Sequence, residues 1–115
     1  MKAYLIDPFA KEVSEVEHDG DFKQIYKFID AEAFDCAHLA NTDVIFVDDM
    51  GLTKDEQAFF AFVGYTQILA GKGLVLGTNE EGDTVEPKFS LDDVRSRVHW
   101  AGPPKVQVLG ITLVD

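Results

Sequence analysis

Three groups of residues in this 115-residue chain have types and spacings that could do chemistry. In the first, the apolar run Val44-Ile45-Phe46-Val47 ends in the acidic pair Asp48-Asp49. Carboxylates at a strand end suit a hard cation such as Mg²⁺, with Asp7 and Lys72 as distant candidates to complete such a site. Adjacent acids on an extended strand point to opposite faces, so a polar, solubilising turn is the competing reading. In the second, Gly71-Lys72-Gly73 sets a lysine between two glycines. A phosphate-cradling loop needs such glycines where the chain opens a helix, whose first amides bind the anion. Here Leu74-Val75-Leu76-Gly77 follows and reads as a strand, so the glycines more simply permit a bulge or a close strand approach. In the third, Cys36 and His38 stand two apart on a strand-like segment and share a face. A closed zinc site needs four ligands, and His18 and His99 would have to supply the rest. A Cys–His nucleophile pair would also need an orienting group and an oxyanion pocket. No complete catalytic set emerges; the sequence predicts no catalytic residue, no metal and no cofactor.

A fourth group is a surface rather than a reaction centre. Glu80, Glu81, Asp83 and Glu86 form the densest acidic cluster, on a turn expected to protrude. Together with Asp48 and Asp49 they are the candidate partner-binding residues, because carboxylates at phosphate-like spacing can mimic a nucleic acid. The whole chain carries 21 acidic and 10 basic residues, a net charge of −11. Direct nucleic-acid binding is disfavoured, since neutralising phosphates takes clusters of Lys and Arg. The expected partner is a protein with a basic surface, steered by the charge. A solvated acidic face without a partner is the plain alternative.

Elements must position these residues. Lys2 to Asp7 reads as a strand ended by Asp7-Pro8, and Glu12 to His18 as the exposed return strand of a hairpin. Phe22, Ile25, Tyr26 and Ile29 make one apolar stripe at helical spacing, with Asp19 or Asp21 to cap its start. Phe34 to Leu39 and Val44 to Val47 read as two strands, the second apolar on both faces and therefore central. Thr53 to Gln57 is predicted as a short helical turn on a capping-box pattern, followed by a strand through Tyr65. Within that stretch the Ala58–Val63 cluster and Trp100 are predicted as core or as a partner patch, and Asp55 and Glu56 as charged gatekeepers against aggregation. Gly71 to Gly77 gives another strand, Asn79 to Asp83 an acidic turn, and Thr84 to Phe89 a short edge strand. Ser90 with Asp93 caps a last helix carrying Leu91, Val94 and Val98 on one face. Pro103-Pro104 stops it, and Val106 to Val114 reads as a C-terminal strand bent at Gly110. The expected fold class is α+β, a mostly antiparallel sheet with one or two helices packed on one face.

Bulk properties agree with one globular domain over residues 1–115. Hydrophobic residues make up 46% of the chain and nine are Phe, enough for a packed core. A lone cysteine forms no intramolecular disulfide and fits a reducing compartment. The longest apolar run, Ala58 to Val63, is far below the roughly 20 residues of a membrane span. The N-terminal residues lack the apolar centre of a signal peptide. A soluble, cytoplasmic protein without membrane contact is expected, its oligomeric state left open.

Four segments also carry a family resemblance. They are Lys2-Ala3-Tyr4-Leu5-Ile6-Asp7-Pro8, Phe46-Val47-Asp48-Asp49-Met50-Gly51-Leu52, Leu69-Ala70-Gly71-Lys72-Gly73-Leu74-Val75-Leu76-Gly77 and Glu80-Glu81-Gly82-Asp83. With them the chain resembles short uncharacterised phage and prophage proteins grouped as a domain of unknown function (the 3846-like group), over roughly its first three-quarters. The resemblance implies a small α+β accessory protein of phage or prophage origin and brings no activity or catalytic residues. The Val44 to Asp49 segment alone is also similar to the acidic strand end of receiver domains. In a receiver, though, that pair follows the first strand and regular βα alternation continues after it, neither of which holds here. Three functions therefore stand open. The first is a non-enzymatic accessory protein acting through protein contacts, with an acidic surface inhibiting a basic nucleic-acid-handling host protein. The second is a small-ligand or nucleotide-binding module around Gly71, Lys72 and Gly73. The third and weakest is a metal-dependent enzyme using Asp7, Asp48 and Asp49.

Overall fold

A computed structural model describes residues 1–50 and 57–102. The helical turn expected at Thr53–Gln57 (Gln57 apart), the gatekeepers Asp55 and Glu56, the Pro103-Pro104 stop and the strand expected at Val106–Val114 lie outside the described residues.

The main sheet is antiparallel, in the order β2 (Glu12–Glu17), β1 (Lys2–Asp7), β7 (Gly73–Thr78), β4 (Val44–Asp48), β3 (Phe34–His38). A two-residue strand, β8 (Thr84–Val85), pairs with the far end of β7. A second antiparallel sheet has the order β6 (Leu69–Ala70), β5 (Phe59–Phe62), β9 (Val98–Ala101). Helix α1 (Lys23–Ile29) follows β2, and α2 (Leu91–Arg97) precedes β9. The fold is α+β, as the sequence predicts.

Alternation along the strands sorts the core into two layers. Ala3, Leu5, Phe46, Leu74 and Leu76 face α1, which lays Ile25 and Ile29 against them. Tyr4, Ile6, Ile45, Val47 and Val75 face the other way and meet Phe60, Phe62, Val94 and Val98 from the second sheet and α2. The two central strands, β4 and β7, are thus covered on both sides, which explains why their sequences are apolar without alternation. Gly73 makes the second layer fit. A Cβ there would sit 2.9 Å from both Ile45 Cγ2 and Phe60 Cζ, so only glycine lets the fully buried Phe60 ring lie on the sheet.

Element boundaries depart from the sequence expectation where local chemistry intervenes. The last helix does not run to the proline pair: it ends at Arg97, and Val98, placed on its apolar face by spacing, opens β9 in extended conformation. Residues 98–101 gain a full ladder against Phe59–Phe62, a non-local pairing that helical periodicity cannot register. The strand expected over Thr84 to Phe89 stops at Val85. Pro87 has no amide to donate, and the Lys88 and Phe89 amides bind the Asp43 carboxylate instead of a neighbouring strand. The strand expected through Tyr65 ends at Phe62, since Gly64 turns with φ +104° and the Tyr65 amide donates back to the Phe62 carbonyl. The strand expected from Gly71 begins at Gly73, because Gly71 turns with φ +81° between β6 and β7.

The cap of α2 follows the expected chemistry, and that of α1 does not. Ser90 and Asp93 form a reciprocal capping box at α2, and the Ser90 amide holds the Asp93 carboxyl below its ordinary pKa. At α1 the Asp21 carboxylate accepts from the Lys23 amide at 3.0 Å, although the residue in the cap position itself is Phe22. No helix among the described residues is long and apolar enough to cross a membrane.

Candidate functional site

Strand β7 serves as a ruler for the charged residues. Its register sets Tyr4 and Ile45 opposite Val75, and Val44 opposite Leu76. The start of β1, the start of β4 and the end of β7 therefore lie at one end of the sheet. Glu17 pairs with Lys2 and belongs to that end too. The 79–83 turn that continues β7 is closed by Asn79, whose amide donates to the Asp83 carbonyl at 3.0 Å while its side-chain oxygen accepts from the Asp83 amide at 2.8 Å. Beyond β8 the Glu86 carboxylate accepts from the Lys2 amide. Gly77 permits this approach, since a Cβ there would collide with the Glu86 carbonyl oxygen.

The segment between β2 and α1 adds acids that sequence spacing did not single out. Asp19 accepts from the Asp21 amide at 2.8 Å and Asp21 from that of Lys23, a run of tight turns that fixes both carboxylates directly after Glu17. Glu17, Asp19, Asp21, Glu80, Glu81, Asp83 and Glu86 are all exposed at this end. The same segments carry Lys2, Lys23, Lys88 and the Met1 ammonium, which pairs with Glu17 at 2.8 Å, so the end is net acidic. Phe22, 57% exposed, stands among these groups with its ring edge-on to Tyr26. The signal that could have found Glu17, Asp19 and Asp21 is hairpin register: once β1 and β2 pair over their full length, residue 17 returns to the chain start.

Beneath this surface lies Asp43, fully buried, whose role spacing alone did not reveal. Its carboxylate accepts from the Lys88 amide at 2.9 and 3.0 Å, the Phe89 amide at 3.0 Å and the Asn41 side chain at 3.3 Å. It joins the β3–β4 turn to the segment that leads into α2. In the segment after β2, His18 is buried and stacks loosely on Phe28, with Nδ1 accepting from the Gly20 amide at 3.0 Å. Its Nε2 has no hydrogen-bond partner among the described residues. Burial holds the imidazole below its ordinary pKa, and the chain-terminal amine adds to this, while Asp19 and Asp21 pull the other way.

The six candidate partner-binding residues do not form one patch. Glu80, Glu81, Asp83 and Glu86 share the acidic end, but Asp48 and Asp49 lie at the opposite end, about 20 Å away along the six residues of β7. Asp48 is also only 6% exposed, with Oδ1 accepting from the Met50 amide at 2.9 Å. It closes a turn. Asp49 alone of that pair is exposed.

Around Lys72 the strands assemble what the sequence keeps apart. Asp7 and Asp48 each lie one step past the residues paired with Gly73, which sets them on the strands flanking Lys72. These groups have other work. Lys72 Nζ pairs with Asp30 at 2.7 Å, a contact that raises its pKa against the opposing pull of burial. Asp7 accepts from the Phe9 and Ala10 amides at 3.0 and 3.2 Å. Among the described residues no three His, Cys, Asp or Glu side chains are grouped to hold a metal ion. As for the phosphate-loop spacing, Gly73 opens a strand rather than a helix, so no N-terminal amides cradle an anion there. Gly71 turns the chain and Gly73 receives Phe60.

Cys36 and His38 sit on the edge strand β3, while His18 lies at the acidic end and His99 in the second sheet. Burial raises the Cys36 thiol above its ordinary pKa, and Asp35 adds to this, so the thiol is not activated. The Ala58–Val63 cluster divides: Phe59, Phe60 and Phe62 are core, whereas Val63 is half exposed and Trp100 is 37% exposed.

An α+β fold of two antiparallel sheets with an acidic end defines the class of protein. The chain belongs to the DUF3846 family, a domain of unknown function whose family model matches residues 1–99. No curated protein and no solved structure matches the chain.

Proposed function

We propose that this chain is a non-enzymatic accessory protein of phage or prophage origin that acts in the cytoplasm through protein contacts. Its acidic end occupies a basic groove on a nucleic-acid-handling protein and inhibits it. The supporting observation is the convergence of two sequence-distant acidic segments, 17–21 and 80–86, on one end of the sheet. Exposed carboxylates of this kind steer encounter with a positive surface, while affinity comes from a few desolvated anchors. Phe22 is the aromatic anchor at that end. Phage origin rests on the sequence resemblance.

The test is affinity capture from host lysate with the tagged full chain at low and at moderate salt, read by mass spectrometry. The expected result is a specific basic nucleic-acid-handling protein, weakened by salt and lost with Glu80→Lys, Glu81→Lys and Asp83→Lys together. A partner retained by the triple variant, or no enriched protein at either salt, would overturn the proposal.

A further inference from the structure

Basic residues are scarce in this chain, and the structure engages several of them. Lys72 is paired with Asp30, and the Arg97 guanidinium lies 4.7 Å over the Phe89 ring. Two others, Lys11 and Arg95, line clefts beside Trp100. Its pairing with the fully buried Phe60 puts the indole on the inner face of the second sheet, at the outer strand β9, where it stays 37% exposed. The β1–β2 turn, with Lys11 in left-handed conformation (φ 56°), lines a cleft together with the same ring.

Two clefts adjoin the indole. One, of 440 Å³, is lined by Pro8, Lys11, Phe59, Trp100 and Ala101 among others, with no carboxylate among the described residues. The other, of 360 Å³, is lined by Lys11, Glu12, Ser14, Arg95, Val98 and Trp100 among others. Both volumes fall in the range of small-ligand sites, roughly 300–1,000 Å³. Arg95 donates Nε–H to the Val13 carbonyl at 3.1 Å, which anchors the guanidinium at the cleft wall. Among the described residues, its terminal nitrogens and the Lys11 ammonium have no protein partner. Positive groups and a half-open aromatic face are what an anionic ligand with a flat ring recognises.

From this arrangement we infer a nucleotide site centred on Trp100. The base stacks on the indole in the cleft bounded by Pro8 and Phe59, and the phosphate lies across Lys11 and Arg95 in the adjoining cleft. Two clefts sharing one indole and one lysine match a ligand with a ring and an anionic tail. A free nucleotide is favoured over a nucleic-acid strand, because the net charge of −11 repels a long polyanion. The site lies about 20 Å from the acidic end along β1, and its first cleft borders Gly71, whose amide donates to the Ala58 carbonyl.

Trp100 is the sole tryptophan, so its fluorescence reports the site directly. The experiment titrates the full chain with AMP, ADP and ATP, and separately with a short single-stranded oligonucleotide. Saturable quenching by a free nucleotide is expected, with affinity falling about tenfold in Lys11→Asn and in Arg95→Gln. Asparagine tolerates the left-handed turn at position 11, so that variant tests the charge rather than the fold. By calorimetry, Trp100→Ala should lose about tenfold or more and Trp100→Phe should recover most of it. No saturation at millimolar nucleotide, or equal binding by the Trp100→Ala and Lys11→Asn variants, would overturn the inference. Binding of the oligonucleotide with no response to any free nucleotide would overturn it in favour of strand recognition.

Discussion

Asp43 and His18 show how single buried polar groups govern the segments that carry the acidic surface. The Asp43 carboxylate, itself fully buried, satisfies two part-buried backbone amides that no strand supplies with a carbonyl. Hydrogen bonds to a charged acceptor contribute more than neutral ones, and orphaned buried donors cost the full desolvation penalty. Asp43→Ala is therefore expected to destabilise the protein by about 2–4 kcal/mol in urea denaturation. Ser90→Ala, which removes only an exposed cap, should cost about 1 kcal/mol. His18 couples the neighbouring turn to pH. Its Nδ1 accepts from Gly20 and so must be unprotonated in the native state. The folded imidazole titrates below its ordinary value of 6.5, so below that pH protons bind the unfolded chain preferentially. The His18 contribution is complete above pH 6.5 and is lost as pH falls through the folded pKa. Urea midpoints measured from pH 7.5 to 5 should decline more steeply for the wild type than for His18→Gln; parallel curves would remove the histidine from the account.

At the scale of elements, one close contact within the shared core shows how the second sheet seats on the first. Phe60 reaches the main sheet only because Gly73 has no side chain, and the two residues come from strands of different sheets. Gly73→Ala should cost about 1–3 kcal/mol by overpacking. Phe60→Leu alone costs a similar amount through lost packing, but in combination the smaller side chain accommodates the new methyl. A double-mutant cycle should therefore show a combined loss smaller than the sum, by about 1 kcal/mol. Additive losses would mean that the ring and the glycine do not meet. This contact also marks where sequence reading runs out. Local signals placed β1 at Lys2–Asp7, the stripe of α1, the central position of β4 and the capping box of α2, because each depends on periodicity or on a side chain three residues away. Nothing local announces that Val98–Ala101 pairs with Phe59–Phe62, or that Gly73 serves Phe60 rather than a phosphate. The acidic site was half legible for the same reason. The 80–86 cluster is contiguous in sequence, while its partners Glu17, Asp19 and Asp21 arrive by strand register, and Asp48 is turned into a buried turn-closing role by the same geometry.

On the scale of the whole molecule, both ends of the main sheet carry acids, Asp7, Glu12 and Asp49 at one and a denser group at the other. One end gathers seven exposed carboxylates from two segments; the other holds the turn of Lys11 and the clefts around Trp100. At 0.1 M salt the Debye length is about 10 Å, half the length of β1, so the two ends act on their surroundings almost independently. Within the acidic end the segments lie close enough to act together. Reversing either one, by Asp19→Lys with Asp21→Lys or by Glu80→Lys with Glu81→Lys, should then slow association with a basic partner about tenfold at low salt. The two effects should compound, and both should shrink as salt is raised. The Glu80–Glu81 reversal should change stability by no more than about 1 kcal/mol, whereas Asp19→Lys with Asp21→Lys also removes two carboxylate–amide bonds and should cost about 1–2 kcal/mol. Stopped-flow association measured across an ionic-strength series separates this from a purely solubilising role. If only the 80–86 reversal slows association, the partner touches the protruding turn and the end is not one surface. If neither does, the acids only keep the protein in solution, and recognition falls to Phe22 and the clefts at the other end.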